Sequence, residues 1–263
     1  MLDWGAVKLG VVIPTLDEAG AVEAALRSVV GVGPGDGAVD LAPLAAAGVE
    51  IIVADGGSRD DTCQRARIWG AEMAAEGPLQ TRVIELPRDP AAGRSRQLQA
   101  GLEACGGDAV LFLHADTRLP AGWAAAVDQA LADPRVVGGA FRFRFEPDAG
   151  AGPTPLALRL IEWGARLRVA LFALPYGDQA IFARREALEA IGGVPQAPMM
   201  EDLDLVAALK RRGRLARLPA AATTSPRRYR ERGVLHTFLR NLGALAAWRL
   251  GLDRARVAAW YRS

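Results

Sequence analysis

The chain predicts an α/β fold built on a largely parallel sheet, and three observations carry that expectation. Residues 9–14 and 110–113 are apolar runs, and 49–54 is apolar apart from Glu50, as expected of strands buried on both faces. Segments of helical length stand between them, and that alternation calls for right-handed crossovers joining parallel strands. Each run then ends in polar or glycine-containing sequence, at the strand end where open α/β sheets bind ligands.

Taken in order, residues 9–14 form the first strand, and Thr15 to Glu18 turn into a helix reaching about Val30. Thr15 and Glu18 have capping-box spacing. Residues 31–48, rich in Gly, Pro and Ala, read as a loop with one short helical turn at most. The second strand, 49–54, leads through the turn Asp55-Gly-Gly-Ser58 into a helix over 60–75. A third strand spans 82–86 and a third helix 91–105. The fourth strand ends in His114, Ala115, Asp116 and Thr117, and Pro120 opens the next helix, where a first-turn proline costs no hydrogen bond.

Beyond residue 132 the pattern changes. Residues 140–145 alternate strictly, which suits a half-exposed strand rather than a buried parallel one. Residues 155–173 form a helix with Leu156, Leu160, Trp163, Leu167 and Leu171 on one face. A short apolar segment at 179–183, a helical turn ending at Gly192-Gly193, a helix over 201–212 and a strand over 215–222 follow. The last segment puts Leu235, Phe238, Leu239, Leu242, Leu245 and Ala246 on one helical face. That face packs onto the protein or, as the second reading, lies on a membrane surface, where arginines from Lys210 onward would meet anionic headgroups.

Composition narrows the function. At 263 residues the chain makes one large domain or two small ones, and 51% hydrophobic residues suffice for a sizeable core. A net charge of +2 is too small for a nucleic-acid binder. Cys63 and Cys105 lack metal or redox spacing, so reduced thiols in a cytoplasmic protein are expected. Residues 1–6 contain Asp3 and no basic stretch, which does not read as a signal peptide. No run of ~20 apolar residues exists to span a membrane.

Four polar clusters carry the chemistry: Pro14-Thr-Leu-Asp-Glu18, Asp55-Gly-Gly-Ser-Arg-Asp-Asp-Thr62, His114-Ala-Asp116 and Met200-Glu-Asp-Leu-Asp204. A carboxylate at the fourth strand's end can hold a divalent cation against a diphosphate. Glycines after the second strand let the backbone approach a ligand, and Asp55 has acceptors for a ribose or base. Carboxylates opening a helix are favoured by its dipole, so Glu201, Asp202 and Asp204 also have a purely structural reading. No dinucleotide-type GxGxxG follows any strand.

The succession PTLDEA, DGGSRDDT, GRSRQLQAG, HADT, GDQAIF and MEDLDL resembles family 2 glycosyltransferases of the GT-A fold, over about residues 9–214. LFLHADTRLP, PYGDQAIF and MMEDLDL are similar to the branch named for arsenosugar biosynthesis. The resemblance implies a Rossmann-like nucleotide-binding half, about residues 1–120, and an acceptor half, about 121–233, sharing one mixed central sheet flanked by helices. Residues 234–263 would be a C-terminal amphipathic segment. It implies a nucleotide-sugar donor, UDP-linked first and GDP-linked or other next, a small-molecule or lipid acceptor, and Mn2+ or Mg2+.

By the same resemblance Pro14, Thr15 and Glu18 line the nucleotide pocket, Asp55 lies near base or ribose, and Arg94 contacts the nucleotide or its phosphate. Asp116 is the main protein ligand of the metal and Asp202 the general base. Gly177, Asp178 and Gln179 stand near the donor sugar or acceptor, with Glu201 on the acceptor side. Arg227, Arg228 and Arg230 form a mobile basic segment over the diphosphate. Gly56 replaces the second acid usual in the family's DDGS motif, losing a typical base contact. His114 replaces the first acid of DxD; imidazole suits Mn2+ better than Mg2+, and a structural hydrogen bond is its other reading. His236 is a further histidine that related folds would bring to the metal. A sugar-phosphate nucleotidyltransferase would need a lysine after the first strand, and residues 14–20 have none. A non-catalytic nucleotide-sugar binding protein would not need both Asp116 and Asp202.

Overall fold

The computed structural model describes residues 7–31, 44, 48–89, 92–147 and 155–262. Its strands are β1 (Leu9–Thr15), β2 (Glu50–Asp55), β3 (Gln80–Glu85), β4 (Ala109–Phe112), β5 (Thr117–Arg118), β6 (Val136–Phe145), β7 (Ile181–Arg184) and β8 (Arg214–Thr224). Its α-helices are α1 (Val22–Val29), α2 (Thr62–Glu76), α3 (Ser95–Ala104), α4 (Trp123–Leu131), α5 (Leu156–Phe172), α6 (Arg185–Ala190), α7 (Glu201–Lys210), α8 (Arg227–Arg232), α9 (Val234–Arg249) and α10 (Arg254–Arg262).

The strands form one mixed sheet in the order β3-β2-β1-β4-β7-β6-β8-β5. β1, β2, β3 and β4 run parallel, with Thr15 beside Asp55, and β7 is antiparallel to β4. The chain winds outward from β1 through β2 to β3, then returns to place β4 on the other side of β1. That reversal leaves a crevice at the carboxyl ends of β1 and β4.

Because the apolar strands alternate sides, two cores form. Val11, Ile13, Ile51, Val53 and Leu111 pack under α1, α2 and α4, whereas Val12, Ile52, Val110 and Phe112 pack under α3, α6 and α7. Gly101 lets α3 approach closely, since a Cβ there would run into the Val12 side chain.

Several boundaries differ from expectation. α1 starts at Val22 without a side-chain cap, because the Thr15 hydroxyl donates instead to Asp55 Oδ1 at 2.9 Å and stays in the strand. Pro120 lies ahead of α4, whose entry uses Gly122 at φ 71°. β5 was not expected; its two residues pair antiparallel with the end of β8. β6 does alternate, with Arg142 and Arg144 exposed, yet it pairs parallel with β8 as well as antiparallel with β7. Most of the expected loop at 31–48, and Ala91 of the expected third helix, lie outside the described residues.

The largest departure concerns the outer helices. On α5, Leu158, Glu162 and Ala165 are buried, and Glu162 Oε1 accepts the Phe145 N–H at 2.8 Å. The expected apolar face points away from the sheet: Leu156 is 71% exposed, Leu160 and Trp163 60%, and Leu171 65%. On α9 the buried residues are Thr237, Ala244 and Ala247, while Leu235, Phe238, Leu239 and Leu242 are exposed. The reading in which that face packs onto the protein is therefore corrected, apart from Leu245, which meets the second core. α9 turns small or polar residues inward, and α5 turns Leu158, Glu162 and Ala165 inward.

Candidate active site

The crevice above β1 and β4 opens into a cleft of about 650 Å3, within the size range of ligand sites. Pro14, Thr15, Glu18 and Gly56 line it from the first two strands, His114 and Asp116 from the β4–β5 turn, and Arg94 from the start of α3. Gly177, Asp178, Glu201 and Asp202 line the opposite side. Segments more than a hundred residues apart thus meet at one place.

Asp55 does not reach into this space. Its carboxylate is fully buried and accepts the Thr15 and Ser58 hydroxyls and the N–H groups of Gly57 and Ser58, at 2.8 and 2.7 Å for the last two. It shapes the turn rather than offering acceptors to a ligand. Gly56 is the residue of that turn that faces the cleft. A Cβ on it would stand 2.5 Å from Gln97 Nε2, which donates to the Thr15 carbonyl at 3.0 Å. The glycine in place of a second acid is thus accounted for by Gln97.

His114 is engaged with Arg94, whose guanidinium nitrogen lies 3.2 Å from Nδ1 and 2.5 Å from Nε2. Burial, then Arg94 and Arg228, depress its pKa well below the ordinary histidine value, so the ring is neutral and accepts from Arg94. Its other neighbour is Gly177, where any Cβ would collide with the ring. Burial opposes the charge on Arg94, but Glu201, Asp202, Asp116 and Asp178 outweigh it and hold the guanidinium cationic. Glu201 is buried, 3.8 Å from Arg94 Nε, and burial raises its pKa against that attraction.

Asp202 sits in the first turn of α7, entered through Met200 at φ 60°. Its Oδ2 accepts the Gly177 N–H at 2.7 Å and its Oδ1 the Leu203 N–H at 2.9 Å, which aim the carboxylate at the cleft. Asp204 points elsewhere: it accepts from Trp248 Nε1 at 2.8 Å and from Arg254, tying α7 to α9 and α10. Asp178 is different again. Its buried Oδ1 has no hydrogen-bond partner, and burial above all pushes its pKa up to about 6. Gln179 turns away from the cleft, donating to the Phe141 carbonyl at 2.9 Å and accepting the Tyr176 N–H at 3.1 Å.

The expected basic segment is a short helix, α8, rather than a loop. Arg228 lines the cleft, whereas Arg227 reaches Glu18 Oε2 at 3.4 Å across its mouth. Burial pushes the Glu18 carboxyl up, opposed by Arg227. His236 is exposed on α9, facing Arg240 at 3.4 Å, and does not line the cleft. Sequence reading missed a closing network: Asn241 donates to Tyr229 Oη at 3.0 Å, and Tyr261 Oη donates to Asn241 Oδ1 at 2.6 Å. An asparagine within an apolar helix was the available signal.

Residues 10–192 match Glycosyl transferase family 2. The chain belongs to that family. Similar solved structures of this GT-A protein include a mannosyltransferase from Pyrobaculum calidifontis in complex with GDP-Man and Mn2+, at 23% identity and TM-score 0.65, covering 90% of this chain and 61% of that one. Glucosyl-3-phosphoglycerate synthase from Mycobacterium tuberculosis, in complex with Mn2+ and UDP-glucose, matches at 23% identity and TM-score 0.57, covering 94% and 80%. S. aureus TarS 1-349 in complex with UDP-GlcNAc matches at 16% identity and TM-score 0.53, covering 83% and 58%. The family 2 chain thus spans 61% of the mannosyltransferase's length. No curated protein matches it significantly.

Proposed function

We propose that this family 2 protein is a metal-dependent, inverting glycosyltransferase that moves a sugar from a nucleoside diphosphate to a small-molecule or lipid acceptor. The observation that carries this reading is the pairing of Asp116 with Asp202 in one cleft, the second held in position by the Gly177 N–H. Uridine is the first candidate for the base and guanosine the second; complexes of the structural neighbours with UDP- and GDP-sugars support both. The motifs resembling the arsenosugar-biosynthesis branch support placing the chain there, without naming its acceptor. Most donor contacts come from the half before residue 120, joined by Arg228 of α8, and acceptor contacts come from residues 121–233, closed by the C-terminal helices.

The donor set suits a cation that arrives with its ligand. Among the described residues no three His, Cys, Asp or Glu side chains converge to hold a metal ion. Asp116, however, faces the cleft with only a long 3.4 Å contact from the Thr117 hydroxyl on its Oδ1. One carboxylate with diphosphate oxygens and water is a common shell for Mg2+, and Mn2+ favours the same oxygen donors. When bound, the metal neutralises charge developing on the departing diphosphate. His114 is an orienting neighbour of Arg94 in this reading, and neither it nor His236 is a ligand.

Asp202 takes the proton of the acceptor hydroxyl while that oxygen attacks the anomeric carbon from the face opposite the diphosphate, inverting its configuration. Arg94 and Arg228 stabilise the leaving group, and Asp178 binds a sugar or acceptor hydroxyl through its unpaired oxygen. A thermal-shift panel of UDP, GDP and their sugars, with and without Mn2+, tests the donor assignment. Ligand at ~100 times its Kd should add about 2.7 kcal/mol. In Asp116→Ala the Mn2+-dependent part should vanish, and equal binding by this variant with Mn2+ present would remove Asp116 from the metal site.

A further inference from the structure

α5 and α9 are neighbours, and each turns apolar residues outward. α9 packs against α5, and Arg249 of α9 lies 5.4 Å over the exposed Phe172 ring at the end of α5. Leu160 and Trp163 of α5 and Phe238, Leu239 and Leu242 of α9 are thus exposed on two neighbouring helices. Beside α5 lies a mostly apolar cavity of about 240 Å3, lined in part by Val169 and Ala170 of this helix. An apolar patch of this extent on a monomer marks an interaction site.

Its rim is uniformly basic. Arg159 and Arg166 are exposed on α5, Lys210 donates to the Phe172 carbonyl at 2.7 Å, and Arg217 donates to the Ala170 carbonyl at 3.4 Å. Neither helix exposes an acidic side chain: Glu162, the one acid of α5, is buried, and α9 has none. Of the nine arginines between residues 227 and 262, Arg228, Arg232 and Arg262 line the cleft, Arg227 meets Glu18 and Arg254 meets Asp204, while Arg240 and Arg249 belong to α9 itself.

We propose that the α5–α9 face is a docking surface for an anionic lipid bilayer. Leucines and aromatic rings on one side with arginines at the edge are the pattern of helices lying in a membrane interface, where the charged heads remain at headgroup level. Each basic group near an anionic surface adds attraction. A second copy of this chain is the poorer occupant, because a two-fold interface would set the arginine rim against itself with no acid to meet it. No helix among the described residues is long and apolar enough to cross a membrane, so the contact is peripheral. α8 and α9 also contribute Arg228, Tyr229 and Asn241 to the cleft, so docking here would bring its mouth close to an amphiphilic acceptor. The docking itself does not depend on which donor the cleft takes.

Co-sedimentation of the full chain with vesicles tests this, comparing phosphatidylcholine alone with an equal mixture of phosphatidylcholine and phosphatidylglycerol. The chain should pellet with the mixed vesicles at low ionic strength, less at physiological salt, and far less with phosphatidylcholine alone. Trp163→Glu and Leu239→Glu, each on an exposed position, should keep the wild-type melting curve by circular dichroism while vesicle partition falls at least about tenfold. A chain that stays in the supernatant with mixed vesicles at low ionic strength overturns the proposal. So does a concentration-dependent dimer, seen by sedimentation velocity, that Leu239→Glu dissociates without changing vesicle partition.

Discussion

The two sides of the cleft are built to different standards. On the β1–β2 side the turns are locked by their own side chains: Asp55 holds Gly57 and Ser58, Asp17 holds the Arg59 N–H and the Arg88 guanidinium, and Thr62 receives the Glu18 N–H. Strands β1 and β4 are buried on both faces. On the other side Asp178 has an oxygen without a partner, α5 borders a cavity, and apolar residues of α5 and α9 face outward. The difference teaches where order is needed before a ligand arrives. The N–H groups of the β1 and β2 turns are already taken by side chains, so that side is rigid on its own, whereas the other side keeps an unsatisfied oxygen and a cavity that a ligand can complete.

The comparison breaks most visibly at Asp202. Asp202→Asn keeps the shape and a hydrogen-bonding oxygen but cannot take a proton. Transfer should fall by roughly 10²–10⁴, with nucleoside diphosphate binding by calorimetry unchanged. Near-normal single-turnover transfer would take Asp202 out of the mechanism, and weakened donor binding would make it a wall of the pocket.

Next in size is Asp55→Ala. Because four donors converge on this buried carboxylate, its loss should cost about 3 kcal/mol or more in urea unfolding. If the variant unfolds like wild type and only nucleotide binding suffers, the side chain contacts ligand after all. Packing sharpens the contrast between the halves: Leu111→Ala, within the sheet, should cost about 2–5 kcal/mol. Leu160→Ala, on the outward face of α5, should stay within about 0.5 kcal/mol. Equal costs would mean that the α5 face is covered in solution.

An effect set by pH rather than by packing follows from Asp178. Its folded pKa of about 6 lies above the ordinary 3.8, so folding favours the neutral acid. The penalty for ionising it grows as pH rises from about 4 to 6 and is complete above that. Asp178→Asn should therefore melt higher than wild type at pH 7.5, with the advantage shrinking through that window and gone below pH 4. An advantage that does not change with pH would show that Asp178 is not the titrating group.

Much of this was legible in the residues. Largely apolar runs identified β1, β2 and β4, and the family resemblance brought Glu18, Arg94, Asp116, Asp178 and Asp202 forward, all of which meet in the cleft. Boundaries failed where a side chain had two partners to choose between. Thr15 reads as a helix cap until Asp55, 40 residues away, is placed beside it in β2. Gln179 reads as a cleft residue until the Phe141 carbonyl claims its amide.

What the sequence determined by itself was local and periodic: strand runs buried on both faces, helical stripes, and the kinds of chemistry present at each strand end. The tertiary structure decided which side of a stripe faces the core. Leu160 and Leu98 are both leucines on amphipathic helices, yet one stands in solvent and the other packs on the sheet. Periodicity records that a helix has an apolar face, and it says nothing of what that face meets. That choice is made by the fit against the sheet, which α5 meets with Leu158, Glu162 and Ala165 rather than with Leu156, Leu160 and Trp163.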